Sequence, residues 1–407
     1  MNNDNLVTIP IGPQHPALDE PSCFTVTLDG EKVVKAVIGV GYNHRGLEKS
    51  CESRNYYQAL YIVERVCGIC SHTHSTAFCQ GLEELAGVDI PRRAKYLRVL
   101  VAELERLHSH LLWLGVAGHE IGFDTLFMYT WRDRERVLDV LAEIGGNRVN
   151  YGINTIGGVR RDMEPALEKE IREMADVLEK QVAYYHELAL TDSVLAARFA
   201  GIGVLPREEA KRFGVVGPVA RADGIAGDIR VIEPYAAYDE LKVNQITDDH
   251  CDVYGRTLVR IQELQESIRL IRACLDGLPE GPLKVNVPRR LPKGEVISRT
   301  EAPRGENIHY IRSNGTNKPD RVRVRAPSEA NWHGMRRMLE GSYLADVPII
   351  VAANDPCYSC TDRSFIIKGA AGTQVMDWEQ LRTYGVEWYR RRGADVSTLS
   401  EKMEKFR

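Results

Sequence analysis

Two pairs of cysteines with the same spacing stand near opposite ends of the chain. Cys67 and Cys70 belong to the segment ERVCGICSHTHS, and Cys357 and Cys360 belong to NDPCYSCTDR. Two residues between cysteines let both thiolates converge on one metal from a turn, and two such pairs supply the four soft ligands that zinc, iron–sulfur clusters or nickel favour. The sequence therefore predicts one metal centre that is assembled from both ends of the chain.

The spacing alone leaves the identity of the metal open. A structural zinc with four cysteine ligands usually joins loops that are close in sequence, whereas most of the chain separates Cys70 from Cys357. A redox-active pair would explain one of the two motifs, although neither follows the strand-to-helix pattern of a thioredoxin-like site. A four-iron cluster fits the ligand count equally well. The other cysteines lack such spacing and are predicted to be small buried apolar side chains: Cys23, Cys51, Cys79, Cys251 and Cys274.

The composition excludes several classes of protein. The 407 residues are 43% hydrophobic and 27% charged, which is enough apolar sequence for a large core and excludes a disordered chain. Lys and Arg number 53 against 57 Asp and Glu, so the formal charge of −4 offers no basic field to a nucleic acid. No window approaches the roughly 20 apolar residues that span a bilayer, and the first residues do not resemble a signal peptide. We therefore expect reduced thiols in a cytosolic or membrane-peripheral protein.

The elements that must position the cysteines follow from hydrophobic periodicity. Strand-forming residues between 6 and 40, with a turn at Asp29-Gly30, predict an N-terminal β-hairpin. Apolar residues recur every three or four positions after Pro91, and similar patterns at 165–189 and 254–275 predict two further long helices. Glycine and proline interrupt residues 201–237, which are predicted to form loops with short turns.

The C-terminal third is predicted to return to extended structure before the second cysteine pair. Residues 281–327 end in the alternating run VRVRAP, a short helix is expected at 332–344, and the apolar run VPIIVAA is interpreted as a strand. The predicted fold class is α+β, with a large helical-bundle core, the N-terminal hairpin and a smaller β region near 281–327. We expect one domain over 1–407, comprising a β-rich part at 1–50, the core and metal site at 51–363, and a tail at 364–407.

The residues around the two cysteine pairs resemble the signature of one family. Arg65 and His74 complete the pattern RxCGxCxxxH, and Asp355 and Arg363 complete DPCxxCxxR. In this order they resemble the signature of the nickel–iron hydrogenase large subunit. Similar segments cover nearly everything up to Arg363: IGPQHPALDEP, GYNHRGLEKS, LHSHLLWLG, GGVRRD, GPVARADG, YDEL, EAPRGE and RVRAPS.

Many of these segments also resemble the quinone-site subunit of respiratory complex I, which is related to hydrogenases but has lost the cysteines. With all four cysteines retained, the chain resembles the energy-converting, membrane-bound hydrogenases of the Ech, Mbh and formate hydrogenlyase type. The resemblance implies nickel bound by four thiolates, with Cys67 and Cys357 as terminal ligands. Cys70 and Cys360 would bridge to an iron that carries one CO and two cyanides. Electrons would pass through an iron–sulfur cluster in a partner subunit.

The same resemblance implies roles for five further residues. Glu48 matches the glutamate that relays protons between a terminal cysteine and the exterior. Arg304 matches the arginine that lies over the metals and hydrogen-bonds a cyanide, and Asp355 would hold it in place. Ser328 matches the hydroxyl offered to the other cyanide, and His74 matches the histidine that hydrogen-bonds near a bridging cysteine.

Several other polar residues are predicted to lie outside the site. His72 is expected to be a partly buried residue at a helix start, and His108 and His110 are expected to be core histidines. His15 lies in the GPQHP segment that lines the quinone cavity of the complex I relatives, but ALDEP lacks their second histidine, which argues against quinone chemistry. Arg363 replaces the histidine of uptake hydrogenases, so no third metal is predicted through this residue.

The leading hypothesis is a catalytic hydrogenase subunit, 2 H+ + 2 e− ⇌ H2, on the cytoplasmic side of a membrane complex that is coupled to ion translocation. Its expected partners are an iron–sulfur small subunit, other hydrophilic and membrane subunits, and a maturation endopeptidase. One alternative is a complex-I-like quinone-reducing or coupling subunit without hydrogenase activity, and another is a non-catalytic protein with a structural zinc. The resemblance also favours removal of the tail after Arg363 over a permanent docking element.

Overall fold

The computed structural model describes residues 6–16, 18, 20–361, 365–369, 372–376 and 378–393. The helices are α1 (Leu47–Glu52), α2 (Tyr56–Glu64), α3 (Ser71–Ala86), α4 (Arg92–Glu120), α5 (Asp124–Gly145), α6 (Pro165–Thr191), α7 (Ser193–Phe199), α8 (Arg207–Phe213), α9 (Gly217–Ala222), α10 (Ile229–Ile232), α11 (Tyr238–Leu241), α12 (Val253–Asp276), α13 (Pro327–Leu339), α14 (Val347–Asn354), α15 (Tyr358–Thr361) and α16 (Trp378–Arg390). The strands are β1 (Leu6–Ile11), β2 (Cys23–Asp29), β3 (Lys32–Gly39), β4 (Asn154–Thr155), β5 (Gly158–Val159), β6 (Lys293–Ala302), β7 (Gly305–Asn314), β8 (Pro319–Arg325), β9 (Phe365–Gly369) and β10 (Gly372–Met376).

Four long helices form the core, with α4 against α5 and α12, and α6 against α5 and α12. The sequence confines apolar side chains to the packed faces: Leu104, Leu107 and Leu111 of α4 are fully buried. Burial of each such leucine contributes about 1.5–3 kcal/mol. The predicted helices at α4, α6 and α12 are confirmed, and the fold class is α+β as predicted. No helix among the described residues is long and apolar enough to cross a membrane.

Two antiparallel sheets flank the helical core. The predicted N-terminal hairpin is confirmed as β2 and β3, and β1 adds a third strand in the order β1-β2-β3. Its inner face is the alternating set Phe24, Val26 and Leu28, as expected for a sheet with one buried face. The second sheet, in the order β6-β7-β8, confirms the predicted extended region, and VRVRAP contributes to β8.

Three predictions of local structure were wrong. The run VPIIVAA forms α14 rather than a strand, because Pro348 opens its first turn and α4, α12 and α13 bury the helix on all sides. A continuous apolar run carries no period that distinguishes the two structures. The helix expected at 332–344 is α13, which begins and ends five residues earlier with Pro327 in its first turn. The loops predicted at 201–237 contain the short helices α8, α9 and α10.

The C-terminal tail contributes the antiparallel hairpin β9–β10 and helix α16 to the described residues. Two predictions concern Arg363: cleavage of the tail after this residue, and the lack of a third metal bound through it. Arg363 lies outside the described residues. The boundary of a single domain over 1–407 stays a prediction.

A close backbone contact holds helix α9 against the turn between β6 and β7. Gly217, at the start of α9, has φ +73°, and a Cβ there would lie 2.1 Å from the carbonyl oxygen of Arg304. Only glycine allows this approach, since any side chain would overlap the strand turn. The position of Arg304 therefore depends on a glycine 87 residues earlier in the chain.

We expect Gly217→Ala to destabilise the fold more than Gly201→Ala. Both glycines have φ +73°, but a Cβ on Gly201 meets nothing within 4 Å. The left-handed conformation should cost each variant about 1–2 kcal/mol, and overlap should add about 1–3 kcal/mol for Gly217→Ala alone. Chemical denaturation of both purified variants measures the difference. Equal losses of stability would contradict the close contact.

Candidate metal centre

The four cysteines of the two motifs meet at one buried point. Cys67 lies in the turn after α2, and Cys70 directly precedes α3. Cys357 directly precedes α15, and Cys360 lies within α15. The Cys357 sulfur is 3.4 Å from that of Cys67 and 3.0 Å from that of Cys360. The Cys360 sulfur is 3.7 Å from that of Cys70. All four residues are at most 6% exposed, so the structure brings together the ligands that the spacing predicted.

The separations between the sulfur atoms suit a shared metal rather than a disulfide. A disulfide bond is about 2.05 Å long, and all these thiols are free. Four sulfurs placed about 2.3 Å from one metal lie about 3.3–3.8 Å from their neighbours. The Cys67–Cys357 and Cys70–Cys360 separations fall in that range, whereas the Cys357–Cys360 separation of 3.0 Å is shorter.

Hydrogen bonds among the thiols favour one thiolate, on Cys67. Donation from Cys357, Cys360 and Cys70 lowers the pKa of Cys67 well below its usual range. The backbone N–H groups of Ile69 and Cys70 also donate to the Cys67 sulfur, at 3.2 and 3.4 Å. Burial and the neighbouring thiols instead raise the pKa of Cys360 well above its usual range. Coordination of a cation by all four sulfurs must therefore release protons.

Two side chains hold the loop that carries the first cysteine pair. Arg45 donates to the carbonyl oxygens of Arg65 (2.9 Å) and Val66 (2.7 Å), and so fixes the backbone just before Cys67. His108 Nε2 lies 3.1 Å from the Ile69 carbonyl oxygen between the two cysteines. His108 is the satisfied core residue that was predicted, but its contact with the motif was missed.

Glu20 holds the second cysteine pair. Its carboxylate accepts hydrogen bonds from the backbone N–H groups of Tyr358 (2.6 Å) and Ser359 (3.0 Å), and from the Ser359 hydroxyl. The Tyr358 ring stacks on Trp332 at 5.5 Å and meets Phe24 edge-on at 6.4 Å. Sequence reasoning gave Glu20 no role, and its place in the family-like segment ALDEP was the only available signal.

Arg304 and Asp355 form a buried ion pair beside the thiols. Arg304 Nε donates to the Asp355 carbonyl oxygen at 2.8 Å, and Nη2 donates to Oδ1 at 2.6 Å. Although burial opposes the charge, Asp355 and the neighbouring cysteines raise the pKa of Arg304 well above its usual range. Arg304 Nη1 and Asp355 Oδ2 are buried and have no hydrogen-bond partner among the described residues. The pair thus retains one unused donor and one unused acceptor.

Ser328 and His74 each contact a cysteine of the cluster. The Ser328 hydroxyl oxygen accepts the Cys357 N–H at 2.9 Å, which leaves its own O–H available as a donor. His74 Nε2 lies 3.4 Å from the Cys360 sulfur. Burial lowers the pKa of His74 to about 4, so its ring is neutral near pH 7. His74 thus lies beside a cysteine that the resemblance assigns as bridging, and the cyanide contact expected of Ser328 stays a prediction.

Glu48 lies in the first turn of α1. Its carboxylate accepts hydrogen bonds from the Val324 N–H (2.8 Å) and from Arg323 (2.7 Å), both on β8. The side chain is 23% exposed, whereas the adjacent Leu47 packs against the buried cysteines. Glu48 is thus partly open to solvent, and its sequence neighbour touches the apolar cluster that contains the four cysteines.

The remaining residues considered from sequence are distant from the cysteine sulfurs or have other partners. His72 and His110 are buried and hydrogen-bond the Arg98 carbonyl (2.9 Å) and Glu263 (2.8 Å). His72 is fully buried rather than partly buried as predicted, and His15 is exposed. Among the five cysteines expected to be buried, three are buried and two are partly exposed: Cys51, Cys79 and Cys274, against Cys23 and Cys251.

Family models match two parts of the chain. Residues 120–291 and 287–363 match the family described as respiratory-chain NADH dehydrogenase, 49 kDa subunit. Residues 45–115 match the nickel-dependent hydrogenase family. The hydrogenase match contains the first cysteine pair, and the other match contains the second.

Individual proteins are similar over most of the chain. Membrane-bound hydrogenase subunit alpha of Pyrococcus furiosus is 44% identical, over 89% of this chain and 88% of that protein. A subunit of the NADH-quinone oxidoreductase of Rhizobium etli strain CFN 42 is 36% identical, over 89% of this chain and 96% of that protein. A chain in the structure of a membrane-bound sulfane sulfur reductase, an archaeal respiratory membrane complex, is 31% identical. The two structures superpose with a TM-score of 0.85, and the match covers 89% of this chain and 100% of that chain.

We expect Glu20→Ala to loosen the second cysteine pair. A hydrogen bond to a charged group contributes about 1.5–3 kcal/mol, so loss of these contacts should raise local opening roughly 10-fold or more. Alkylation of Cys357 and Cys360 in metal-depleted protein, followed by mass spectrometry, should accelerate accordingly. Glu31→Ala, in the exposed β2–β3 turn, is the control. Unchanged alkylation in Glu20→Ala would show that the carboxylate does not hold this pair.

Proposed function

Because the chain belongs to the family that comprises membrane-bound hydrogenase large subunits and the 49 kDa subunits of respiratory complex I, we propose that it is the catalytic large subunit of a nickel–iron hydrogenase. The reaction is 2 H+ + 2 e− ⇌ H2. The observation that carries this proposal is the gathering of four buried thiols beside an arginine with an unused donor.

The residues of the cluster fit the nickel–iron group that the family implies. Cys67 and Cys357, 3.4 Å apart, would be the terminal nickel ligands. Cys70 and Cys360, 3.7 Å apart, would bridge to iron. A buried guanidinium N–H without a protein acceptor, on Arg304, suits an anionic cyanide ligand. When bound, the group supplies the open coordination position at which H2 is split or formed.

The protein's own residues would bind the group and move the proton. A terminal thiolate is the first proton acceptor, and Glu48 passes that proton between the cluster and solvent, a role supported by its partial exposure and by the packing of Leu47 against the cluster. Asp355 holds the Arg304 guanidinium through two hydrogen bonds, and Ser328 has an O–H available for the second cyanide. His74 donates toward the sulfur of Cys360.

The proposal includes the expected partners and location. The relatives named above are subunits of membrane-bound or respiratory complexes. This chain would pair with an iron–sulfur small subunit that carries the electrons, and with other hydrophilic and membrane subunits that couple the reaction to ion translocation. It would lie on the cytoplasmic side of the membrane, and an endopeptidase would remove the tail during maturation.

A second candidate function is a quinone-reducing or coupling subunit without hydrogenase activity. The match of residues 120–363 to the 49 kDa subunit family favours it. Under this alternative the four thiols hold no nickel. A structural zinc in the cluster is the third possibility, since its ligand count is also four.

Metal analysis and infrared spectroscopy of the purified complex distinguish these functions. Nickel and iron together, with absorption bands of metal-bound CO and cyanide, are expected for the hydrogenase. Zinc alone would identify a structural site. A complex that contains neither metal in this subunit would favour the coupling role and contradict the proposal.

Cys360→Ser should abolish both H2 activity and nickel retention, because a hydroxyl is a poor bridging ligand for soft metals. Cys274→Ser is the matched control, since Cys274 is equally buried in the helical core but lies outside the cluster. It should keep both properties. Metal content and H2 evolution measure the outcome, and equal losses in the two variants would refute the ligand assignment.

Glu48→Gln should retain the metals but lower H2 evolution by roughly 100-fold or more, because an amide fills the same space and cannot relay a proton. Glu52→Gln is the control on the same helix. Glu48 binds Arg323, and Glu52 binds Arg321 at 2.8 Å, so both variants weaken one ion pair to β8. H2 evolution and H/D exchange at the native rate in Glu48→Gln would exclude the relay role.

A further inference from the structure

A pair of buried histidines ends on the sulfur of Cys360. His74 Nε2 is 3.4 Å from that sulfur, and His74 Nδ1 is 3.0 Å from His309 Nε2. The two ring centroids are 5.3 Å apart and the planes are tilted by 40°, which is the geometry of an edge-to-edge hydrogen bond. Both residues are fully buried. The contact joins α3 to the inner face of the β6-β7-β8 sheet.

His309 stands on the buried face of β7, between the polar side chain of Asn307 and the apolar side chain of Ile311. The next inward residue of β7 is Ile311, and the facing turns of α3 contribute Phe78 and Leu82 to the same apolar cluster. An imidazole in such a place costs desolvation unless its polar atoms are used. The hydrogen bond to His74 engages one ring nitrogen of His309, Nε2, and offsets part of that cost.

The chemistry of the cysteine decides which nitrogen of His74 carries the proton. A cysteine that ligates a metal has no proton, so His74 must donate its Nε2–H to the sulfur. A neutral imidazole has only one N–H, and Nδ1 is then a bare acceptor. His309 Nε2, at 3.0 Å, is the donor placed to satisfy it.

We infer that His309 is a positioning residue that fixes the tautomer and the ring orientation of His74, so that His74 donates a hydrogen bond to the bridging cysteine. This inference rests on the proposed function, because the direction of the hydrogen bond follows from a metal-bound thiolate. Without the donor at position 309, the Nδ1–H tautomer becomes accessible, and it would turn a lone pair toward the sulfur.

The hydrogen bond has a consequence that spectroscopy can measure. Donation to a ligating thiolate withdraws electron density from the sulfur and, through it, from the iron that it bridges. An iron with less electron density would donate fewer electrons to a bound CO, so the CO stretching frequency would be higher when the hydrogen bond is present. Loss of the donor at position 309 should lower that frequency.

The test compares three variants in the purified complex. His309→Leu removes the donor, His309→Gln keeps an amide N–H at a similar reach, and Ser298→Ala changes the buried residue directly opposite His309 on β6. We expect a lower CO frequency with retained nickel in His309→Leu, and the native frequency in His309→Gln and Ser298→Ala. A native frequency in His309→Leu, or the same shift in His309→Leu and His309→Gln, would overturn the inference.

A structural readout separates this inference from the proposed function. Absence of CO and cyanide bands in the native complex would refute the proposed function. The distance from His74 Nε2 to the Cys360 sulfur, measured in structures of the variants, does not depend on those bands. This distance should lengthen in His309→Leu, even if that variant loses its metal. It should keep its native value in His309→Gln. An unchanged distance in His309→Leu would overturn the positioning role.

Discussion

The fold brings together two short turns, those of Cys67 and Cys357, that lie 290 residues apart in sequence. Cys67 and Cys357 are brought to 3.4 Å, with no covalent bond between them. Closing so long a loop has an entropic cost that the thiols themselves cannot offset without a metal. Contacts around them contribute to that stabilisation: Arg45 and His108 of α4 on the first turn, and Glu20 on the second.

Buried charge sets the position of the groups that surround the thiols. Arg221 of α9 pairs with Glu263 at 2.7 Å and with Glu301 at 2.8 Å, and all three are almost fully buried. Glu301 precedes Arg304 by three residues, and Gly217 presses on the Arg304 carbonyl from the same helix α9. Buried ion pairs contribute little net stability, but they exclude alternative placements of their partners. The backbone that carries Arg304 is thus held at two points by the same helix.

Long elements were predictable from sequence because their apolar residues repeat with the period of the structure, as in α4, α6 and α12. The helical structure of the run VPIIVAA was not predictable, because a completely buried segment has no alternation of apolar and polar residues that would show its period. At the site, cysteine spacing predicted a metal centre, and resemblance added Arg304 and Asp355. The role of Glu20 was unpredictable in physical terms: its partners lie 338 and 339 residues away, and nothing local in the sequence marks such a contact.

The contact of Glu20 with the turn of Tyr358 and Ser359 also orders events in time. A ribosome makes the N-terminal sheet and the first cysteine pair long before the second pair, since chains grow from the N-terminus. Cys67 meets its partner Cys357 only after 290 further residues have been made, and Glu20 meets Tyr358 only after 338. Only then can the four sulfurs coexist. The cysteine cluster is consequently among the later parts of this fold to be completed, and a metal ion can meet all four sulfurs only after Cys360 has been synthesised.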